Sequence, residues 1–331
     1  MQRILLVKTS SLGDVIHNLP VVNDILTHFP DAQIDWVVEE SFADIPRLHP
    51  RVSDVLHVAF RRWIKNLFSQ NTWAGIAAFK EIIRQNQYDA IIDTQGLLKS
   101  ALIMMQAKGI KHGYDKHSIR DPLASWFYDK KYTISFQQHA VTRNRTLAAL
   151  SLGYAPPTNA PDYGVDKHGI SAQSNVSASL MDIGSQDRYV LGLHGTSRDS
   201  KLWPVANWVA LGKALAEQNL SLVLPWASDA EFARANEIAS NLSGAKVLPK
   251  LSIGALAGVI SGAQAAIGVD TGLSHLATAL SIPTIAIYTD TDPALTGVMA
   301  GEKAEAINLG SIGQTPGVNE VTSAFERLCL L

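Results

Sequence analysis

A short stretch near residue 270 combines the groups that bind a phosphorylated ligand. Asp270-Thr271-Gly272-Leu273-Ser274-His275 follows an apolar run over 265–269, which is typical of a buried strand, and precedes a predicted helix over 276–280. A strand that turns directly into a helix leaves free backbone N–H groups beside the positive end of the helix dipole. The two hydroxyls and the imidazole add donors, and Gly272 gives a ligand room beside the backbone. The stretch predicts an anion site, with a capped helix that binds no ligand as the alternative.

A second polar loop covers residues 194–204 and follows another predicted strand. It offers the hydroxyls of Thr196 and Ser197, and it carries Lys201 just before a helix that Pro204 opens. Because an ammonium group is a compact point charge, Lys201 would offset the charge of a pyrophosphate. The loop lacks the Walker spacing, and a polar surface loop is the alternative.

Glu231 lies just inside the next predicted helix, so we expect it at the same edge of the sheet, together with the residues after Pro249. An acid near a nucleotide can accept hydrogen bonds from the ribose hydroxyls. An exposed helix charge without a ligand is the alternative.

Asp14 is the candidate general base of the first half. It follows a predicted strand over 3–8 and the turn Thr9-Ser10-Ser11-Leu12-Gly13. The turn holds one glycine where a dinucleotide fingerprint needs three, and an acid there would repel phosphate. Ligands bind at the carboxyl edge of open α/β sheets, so a carboxylate there can act as a base. A helix-capping aspartate is the alternative.

Charge is unevenly spread along a chain whose net charge is −2. Residues 1–155 carry 18 Lys and Arg against 14 Asp and Glu, whereas residues 156–331 carry 10 against 16. Residues 61–145 alone hold 14 basic and 6 acidic side chains, which favours an anionic partner. The basic residues singled out are the run Arg61-Arg62-Trp63-Ile64-Lys65, Arg120, Lys130, Lys131, Arg143 and Arg145. Because aromatic residues are few among them, arginines that grip a small acidic acceptor fit better than nucleic-acid binding.

Composition excludes several classes of protein. One cysteine, Cys329, rules out an internal disulfide framework and a cysteine metal cluster. The histidines lack His-x-x-x-His spacing and the acids form no metal cage, so we expect neither metal nor cofactor. The apolar run at 4–7 is too short for a signal peptide, and no run approaches the ~20 residues of a membrane span. These features predict a soluble or peripheral protein.

Strands and helices alternate along the chain, which predicts an α/β fold with parallel sheets. The predicted strands cover residues 3–8, 34–38, 54–58, 90–93, 109–113, 189–194, 221–225, 265–269 and 284–288. The predicted helices cover residues 15–29 with an interruption at Pro20, 73–87, 97–105, 139–152, 204–218, 228–240 capped by Ser228, 253–261, 276–280 and 318–331.

The composition shifts toward Pro, Gly, Ser and Ala after residue 153, which indicates a linker between two similar domains. We therefore predict a first domain over 1–160, a linker over 161–187, a second domain over 188–317 and a closing helix over 318–331.

Motifs along nearly the whole chain resemble the lipopolysaccharide heptosyltransferases. The stretches that carry the resemblance are Val7-Lys8-Thr9-Ser10-Ser11-Leu12-Gly13-Asp14, Asp35-Trp36-Val37-Val38-Glu39-Glu40, Arg61-Arg62-Trp63, Asp93-Thr94-Gln95-Gly96-Leu97, Arg120-Asp121-Pro122-Leu123-Ala124-Ser125, Thr196 to Pro204 and Val269 to His275. The Asp-Thr-Gly-x-Ser-His stretch is shared across that family. The opening motif with Arg-Arg-Trp is the more specific mark of the members that add the first heptose.

The resemblance implies a GT-B fold, with two Rossmann-like domains whose parallel sheets face each other across a cleft that closes during catalysis. It implies inverting, metal-independent transfer of L-glycero-D-manno-heptose from ADP-heptose to the Kdo of Kdo2-lipid A. The enzyme would be peripheral, on the cytoplasmic side of the inner membrane, with no nucleic-acid partner. A member that acts on an already heptosylated acceptor is the nearest alternative. A nucleotide-binding oxidoreductase and a non-catalytic sensor of nucleotide sugars are alternatives of other classes.

The resemblance also implies residue roles, with Asp14 as the base that deprotonates the acceptor hydroxyl. The implied donor-binding residues are Thr196, Ser197, Lys201, Glu231, Leu251, Asp270, Thr271, Gly272 and His275. The implied acceptor-binding residues are Ser11, Gly13, Arg61, Arg62, Lys65 and Arg120. Two positions depart from the family pattern, since Leu251 replaces an expected methionine and Ile64 an expected basic residue.

Overall fold

The chain divides into two compact units, Met1–Gly164 and Val165–Leu331. The computed structural model describes residues 2–165, residue 170 and residues 188–329. Most of the predicted linker, including the weak helical pattern over 177–183, lies outside the described residues. Each unit contains a six-stranded parallel sheet, which confirms the predicted α/β class.

The first unit has the strand order β3-β2-β1-β4-β5-β6. Its strands are β1 (Arg3–Val7), β2 (Gln33–Glu39), β3 (Val52–Val58), β4 (Gln87–Asp93), β5 (Lys108–Tyr114) and β6 (Lys130–Tyr132). Its helices are α1 (Leu12–Ile16), α2 (Leu19–His28), α3 (Asp44–Arg47), α4 (Phe60–Lys65), α5 (Gln70–Gln85), α6 (Leu98–Met104) and α7 (Ala140–Leu152), with 3-10 turns at Glu40–Phe42 and Pro122–Phe127.

The second unit has the strand order β12-β11-β10-β7-β8-β9. Its strands are β7 (Tyr189–Leu193), β8 (Ser221–Leu224), β9 (Lys246–Val247), β10 (Ala265–Val269), β11 (Thr284–Tyr288) and β12 (Ala306–Gly310). Its helices are α8 (Val205–Glu217), α9 (Asp229–Ala239), α10 (Ile253–Ser261), α11 (Gly272–Ala279), α12 (Pro293–Thr296) and α13 (Val318–Cys329), with a 3-10 turn at Asp199–Lys201.

The central strands read as continuous apolar runs because both of their faces are covered. In β1, the four residues from Ile4 to Val7 are fully buried, and all five residues of β10 are buried. A parallel strand between helical layers needs this pattern instead of alternation. In the second unit, the buried rings of Trp203 and Trp208 meet edge to face at 5.2 Å. Trp203 thereby anchors the end of the polar loop in the core.

Some element boundaries differ from the sequence prediction for local reasons. The predicted helix over 15–29 is interrupted at residues 17–18 and not at Pro20, which stands at the second position of α2, where a missing N–H costs nothing. Helix α11 begins at Gly272, four residues earlier than predicted, and the extended residue Thr271 is its N-cap. Strands β6, β9 and β12 were not predicted, since the first two are very short and β12 has no fully buried residue. No helix in the described ranges is both long and apolar enough to cross a membrane.

Both sheets have a switch point, where the order of strands reverses. In the first unit this point lies between β1 and β4, and in the second between β7 and β10. Ligands of open α/β sheets bind outside the carboxyl ends of the strands at such points. The turn with Asp14 follows β1, the loop over 194–204 follows β7 and Asp270 follows β10, so the candidate residues lie where the topology predicts a ligand.

Candidate active site

Asp14 lies in the first turn of α1 and closes a capping box with Ser11. The Ser11 backbone N–H and hydroxyl both donate to Asp14 Oδ2, at 2.9 and 3.1 Å. The capping interpretation is therefore correct, and it holds the carboxylate in one orientation. Within the described residues both hydrogen bonds fall on Oδ2, which leaves Oδ1 available to a ligand. Ser11 is exposed, and Gly13 and Asp14 are half-buried, so a ligand can reach this turn.

A side chain from the turn that follows the neighbouring strand β4 holds the Asp14 turn in place. Gln95 Oε1 accepts hydrogen bonds from the backbone N–H groups of Thr9 and Ser10, at 3.0 and 2.9 Å. Lys8 is buried and donates to the carbonyl oxygen of Thr94 at 2.8 Å. Burial lowers the pKa of Lys8, which the nearby charge of Asp14 partly offsets. Two strands thus fix the turn that carries the candidate base.

Asp93 organises the turn from which Gln95 projects. It is fully buried at the end of β4 and accepts from the backbone N–H groups of Gln95 and Gly96, at 2.9 and 3.2 Å. The hydroxyls of Ser100 and Tyr128 donate to its other oxygen at 2.7 and 2.8 Å. Burial raises the pKa of Asp93, against these hydrogen bonds. Asp93 is thus a positioning residue, because its hydrogen bonds stay within the protein.

The predicted acceptor cations are exposed but not equally available. Arg61, Arg62, Lys65 and Arg120 are all exposed. Arg62 forms a two-pronged ion pair with Glu40, at 3.0 and 2.9 Å, which lowers the pKa of that carboxyl. A ligand carboxylate would compete with Glu40 for Arg62, so Arg61, Lys65 and Arg120 are better placed to receive it.

Two arginines of the predicted basic group have other roles. Arg145 is buried in an ion pair with Asp24, and its Nε and Nη2 donate to the two carboxylate oxygens at 2.7 and 2.8 Å. Arg143 stacks over Tyr114 and donates to the carbonyl oxygen of Ser118 at 2.5 Å. The prediction that Arg145 belongs to the basic group that binds an acidic acceptor was therefore wrong. Its charge instead stabilises the contact between α2 and α7.

Lys99 is a candidate that sequence reasoning missed. It lies in α6, with Nζ 2.8 Å from the hydroxyl of Ser10 and 6.0 Å from the ring centre of Phe60. Burial lowers the pKa of its ammonium group, while the charges of Glu39 and Asp14 favour the charged form. It takes part in no ion pair among the described residues. The signal was its position just after the Asp93-Thr94-Gln95-Gly96 motif, in the first turns of a predicted helix.

In the second unit, Asp270 links the polar loop to the central stretch. Lys201 Nζ donates to Asp270 Oδ2 at 2.6 Å, and the hydroxyl of Thr291 donates to the same oxygen at 2.7 Å. Thr196 donates to the backbone carbonyl of Asp270 at 2.9 Å. Lys201 was expected to offset the charge of a pyrophosphate, and the structure shows that it is also paired with Asp270. Sequence reasoning missed Thr291, which follows a strand without a recognised motif.

The residues after β11 brace the same loop. Thr289 donates to the carbonyl oxygen of Ser200 at 2.7 Å, and the hydroxyl of Ser200 donates to Asp290 at 2.7 Å. Three neighbouring strand ends therefore converge on the loop, as the strand order allows.

The amino end of α11 has the geometry of an anion site. Its N-cap residue, Thr271, makes no side-chain cap hydrogen bond, and Thr271 and Gly272 are half-buried. Ser274 was predicted to offer its hydroxyl to a ligand, but it is buried and donates to the carbonyl oxygen of Val269 at 2.8 Å. That part of the prediction was wrong, because the side chain turns back to satisfy the strand end. His275 is largely buried beside it.

Glu231 forms a capping box with Ser228, which confirms the predicted N-cap. Its backbone N–H donates to the Ser228 hydroxyl at 3.3 Å, and its Oε2 accepts from the N–H groups of Ala227 and Ser228 at 2.7 and 3.2 Å. Its Oε1 lies against Gly195, since a Cβ at that position would stand only 2.7 Å away. The acid therefore meets the polar loop at its second residue.

Two further residues are those that the resemblance also assigns to binding of the sugar donor. Ser197 is an exposed residue of the polar loop, and Leu251 is half-buried just before α10. Leu251 offers an apolar side chain, in keeping with a packing contact. Among the described residues, no three His, Cys, Asp or Glu side chains are grouped in a way that could hold a metal ion.

Two units, each with a six-stranded parallel sheet and polar groups at its switch point, match the GT-B fold of solved heptosyltransferase structures. The chain belongs to glycosyltransferase family 9, the heptosyltransferases, whose family model matches residues 76–326.

Individual relatives agree with this family. Lipopolysaccharide heptosyltransferase 1 of Salmonella typhimurium is 47% identical over 296 residues, 89% of this chain and 90% of that protein. The Escherichia coli K12 protein of the same name is 44% identical over 317 residues, 93% and 97% of the two chains. The structure of E. coli heptosyltransferase WaaC with ADP matches with a TM-score of 0.87 and 41% identity, and covers 98% and 99% of the chains. E. coli heptosyltransferase II shares the fold, with a TM-score of 0.80 at 19% identity.

These comparisons confirm the resemblance drawn from the sequence motifs. They support heptosyl transfer in lipopolysaccharide core biosynthesis, and they support the member that acts on an already heptosylated acceptor less well.

Proposed function

We propose that this chain transfers L-glycero-D-manno-heptose from ADP-heptose to the Kdo of Kdo2-lipid A, with inversion and without a metal ion. The observation that carries the proposal is the Asp14 turn, a fixed carboxylate at the switch point of a unit rich in exposed cations. A general base must be held in position and still reach solvent, and Asp14 meets both conditions.

For the donor, the polar loop, Asp270 and the amino end of α11 would bind ADP-heptose. E. coli WaaC has been solved with ADP-2-deoxy-2-fluoro heptose, and that chain is 40% identical to this one. The Lys201 ammonium has three N–H donors and gives one to Asp270, so it can still donate to a diphosphate. Helix N–H groups and Lys201 would stabilise the charge that grows on ADP as it leaves. Glu231 would accept from the ribose hydroxyls.

For the acceptor, Arg61, Lys65, Arg120 and Lys99 would bind the carboxylates of Kdo and the phosphates of lipid A. Guanidinium groups match carboxylates and phosphates through two parallel hydrogen bonds. Ser11 and Gly13 would line the acceptor beside the base.

The chemistry needs one base and one leaving group. Asp14 takes the proton of the acceptor hydroxyl, whose oxygen forms a bond to the anomeric carbon of the heptose. The bond from that carbon to the ADP oxygen breaks through an oxocarbenium-like transition state, and ADP leaves as an anion. Attack on the face opposite to ADP inverts the anomeric configuration. A lipid-linked acceptor also favours a peripheral enzyme on the cytoplasmic side of the inner membrane.

The purified chain, ADP-heptose and two water-soluble, deacylated acceptors test this function. One acceptor ends in Kdo and the other already carries a heptose. We expect release of ADP and heptosylation of the Kdo acceptor in the presence of a chelator, with an inverted anomeric centre by NMR. Preference for the heptosylated acceptor would contradict the proposal. Donor binding without transfer would favour a sensor, and NAD binding by titration would favour an oxidoreductase.

A further inference from the structure

The turn between α4 and α5 exposes large apolar side chains. Phe68 is fully exposed, and Ile64, Leu67 and Trp73 are 54%, 49% and 60% exposed. We call these four residues the apolar loop. Exposed clusters of this kind mark interaction sites, because contact with water makes them costly to maintain.

The exposure is imposed by a well-bonded turn. The Trp73 indole N–H donates to the carbonyl oxygen of Leu67 at 2.9 Å, and the Thr72 hydroxyl donates to that of Asn66 at 2.8 Å. The Ser69 N–H donates to the same Asn66 oxygen at 3.0 Å. These bonds hold Leu67 and Phe68 at the tip, so their exposure does not come from fraying of a helix end.

The distribution of exposed apolar residues is also uneven. Of the fourteen large apolar side chains that are exposed in the described ranges, twelve lie in the first unit and only Phe232 and Ile312 in the second. Four of the twelve fall within ten residues at the apolar loop. The cluster is thus confined to a short segment of the first unit, which we propose binds the acceptor.

Basic side chains lie on the helix that precedes the tip of the apolar loop. Arg61 and Lys65 are exposed on α4, the helix that leads into it, and they form no ion pair among the described residues. Helices that lie on anionic bilayers combine basic residues with Phe, Leu or Trp side chains in this way. Trp and Tyr favour the headgroup level, and each Lys or Arg near the surface adds electrostatic attraction to anionic lipids.

We propose that the apolar loop inserts Leu67 and Phe68 into the interfacial layer of an anionic lipid bilayer. Arg61 and Lys65 then lie at the level of the headgroups. This rests on the proposed function, since it places the acceptor cations at the surface in which a lipid-linked acceptor is anchored. The loop would therefore raise the local concentration of the enzyme at its acceptor without touching the reacting sugars.

The test compares the full chain with its L67S/F68S variant in flotation with vesicles of phosphatidylethanolamine and phosphatidylglycerol. Because two large apolar contacts are lost, we expect binding to weaken by about tenfold or more. Transfer to Kdo2-lipid A embedded in the vesicles should fall in parallel, whereas transfer to the deacylated acceptor should be unchanged. Ile312→Ser changes an apolar residue of the second unit that is 65% exposed, and it should leave vesicle binding unchanged.

Three outcomes would overturn the proposal. Unchanged vesicle binding of L67S/F68S would exclude insertion of these side chains. An equal loss on the deacylated acceptor would show that the loop binds the sugar instead. A parent dimer that the variant converts to a monomer would make the loop a self-association surface. If the parent fails to transfer heptose to the deacylated acceptor, the proposed function fails, and the vesicle result is interpreted separately.

Discussion

At the scale of single residues, the candidate site uses side chains that also hold the fold together. Asp14 caps its own helix through Oδ2. Asp270 fixes Lys201 and Thr291, and Glu231 caps α9 while it contacts Gly195. Such groups are preorganised, because their positions are set before a ligand arrives.

Asp14→Asn separates the two roles of this residue. The amide oxygen can still accept from the Ser11 N–H, but an amide cannot take a proton at neutral pH. We expect kcat to fall by about 10²–10⁴-fold, the usual contribution of a general base. Calorimetric titration with ADP should show unchanged donor binding.

Asp44→Asn is a matched control, since Asp44 is an acid in the first turn of α3 outside the proposed site. It should leave turnover unchanged. Parent-like turnover of Asp14→Asn would remove Asp14 as the base.

Lys99→Met removes a charge and keeps the length of the side chain. If the ammonium binds an acceptor carboxylate, KM for the acceptor should rise about tenfold, as expected for one charge-assisted hydrogen bond. KM for ADP-heptose should not change, and Lys99→Arg should restore most of the acceptor affinity.

Lys108→Met serves as the control, because Lys108 is exposed at the start of β5, the end of the strand away from the candidate site. A rise in both KM values for Lys99→Met, without rescue by arginine, would indicate a structural role.

At the scale of elements, most site residues lie in a connection between a strand and a helix or in the helix that directly follows it. Four strand ends, those of β1, β4, β7 and β10, carry the Asp14 turn, the Gln95 turn, the polar loop and Asp270. The sequence predicted these strands because their apolar runs are unambiguous. It did not predict the hydrogen bonds between these connections, because the partners lie far apart in sequence. Gln95 and Thr9, for example, are separated by 86 residues.

The buried start of the polar loop makes stability depend on pH. His194 is fully buried, and burial together with nearby Arg234 lowers its pKa to about 4. In the unfolded chain this imidazole takes up a proton near pH 6.5, whereas in the folded chain it does so only near pH 4. The free energy of unfolding therefore falls as the pH drops from about 6.5 to about 4. His194→Leu should flatten the loss of Tm in this window, where the ionisation penalty reaches on the order of 3 kcal/mol.

His57→Leu is the matched control, since His57 is exposed on β3 and should leave the pH dependence unchanged. His49 in the first unit has a pKa lowered to about 4 by the same cause, so part of the dependence should remain. An equally steep loss of Tm in His194→Leu would contradict the assignment.

At the scale of the whole molecule, the two units differ in charge and in surface. The first unit is basic and exposes most of the large apolar side chains, whereas the second unit is acidic. A phosphorylated donor therefore depends on local features of the second unit, such as Lys201 and the end of α11, because the overall field repels it.

The ion pair between Arg145 and Asp24 should be a main determinant of stability in the first unit. Asp24→Asn leaves a buried guanidinium without its counter-charge, which costs about 3–5 kcal/mol. Calorimetry should show a lower Tm. Arg47→Ala breaks an exposed pair with Asp44 and should cost no more than about 1 kcal/mol. A comparable effect of the two changes would contradict the buried role.

The sequence by itself determined the strands with continuous apolar runs, the motifs and the family, because apolar runs and short polar motifs are local properties; it missed the short or poorly buried strands β6, β9 and β12. It also identified Asp14, Lys201 and Asp270, since each follows a strand in a motif. Only the tertiary structure decided that Arg145 is buried, that Lys99 lies beside Ser10 and that Thr291 bonds Asp270. These contacts join residues far apart in the chain, and the order of strands in the sheet, which no local pattern encodes, brings them together.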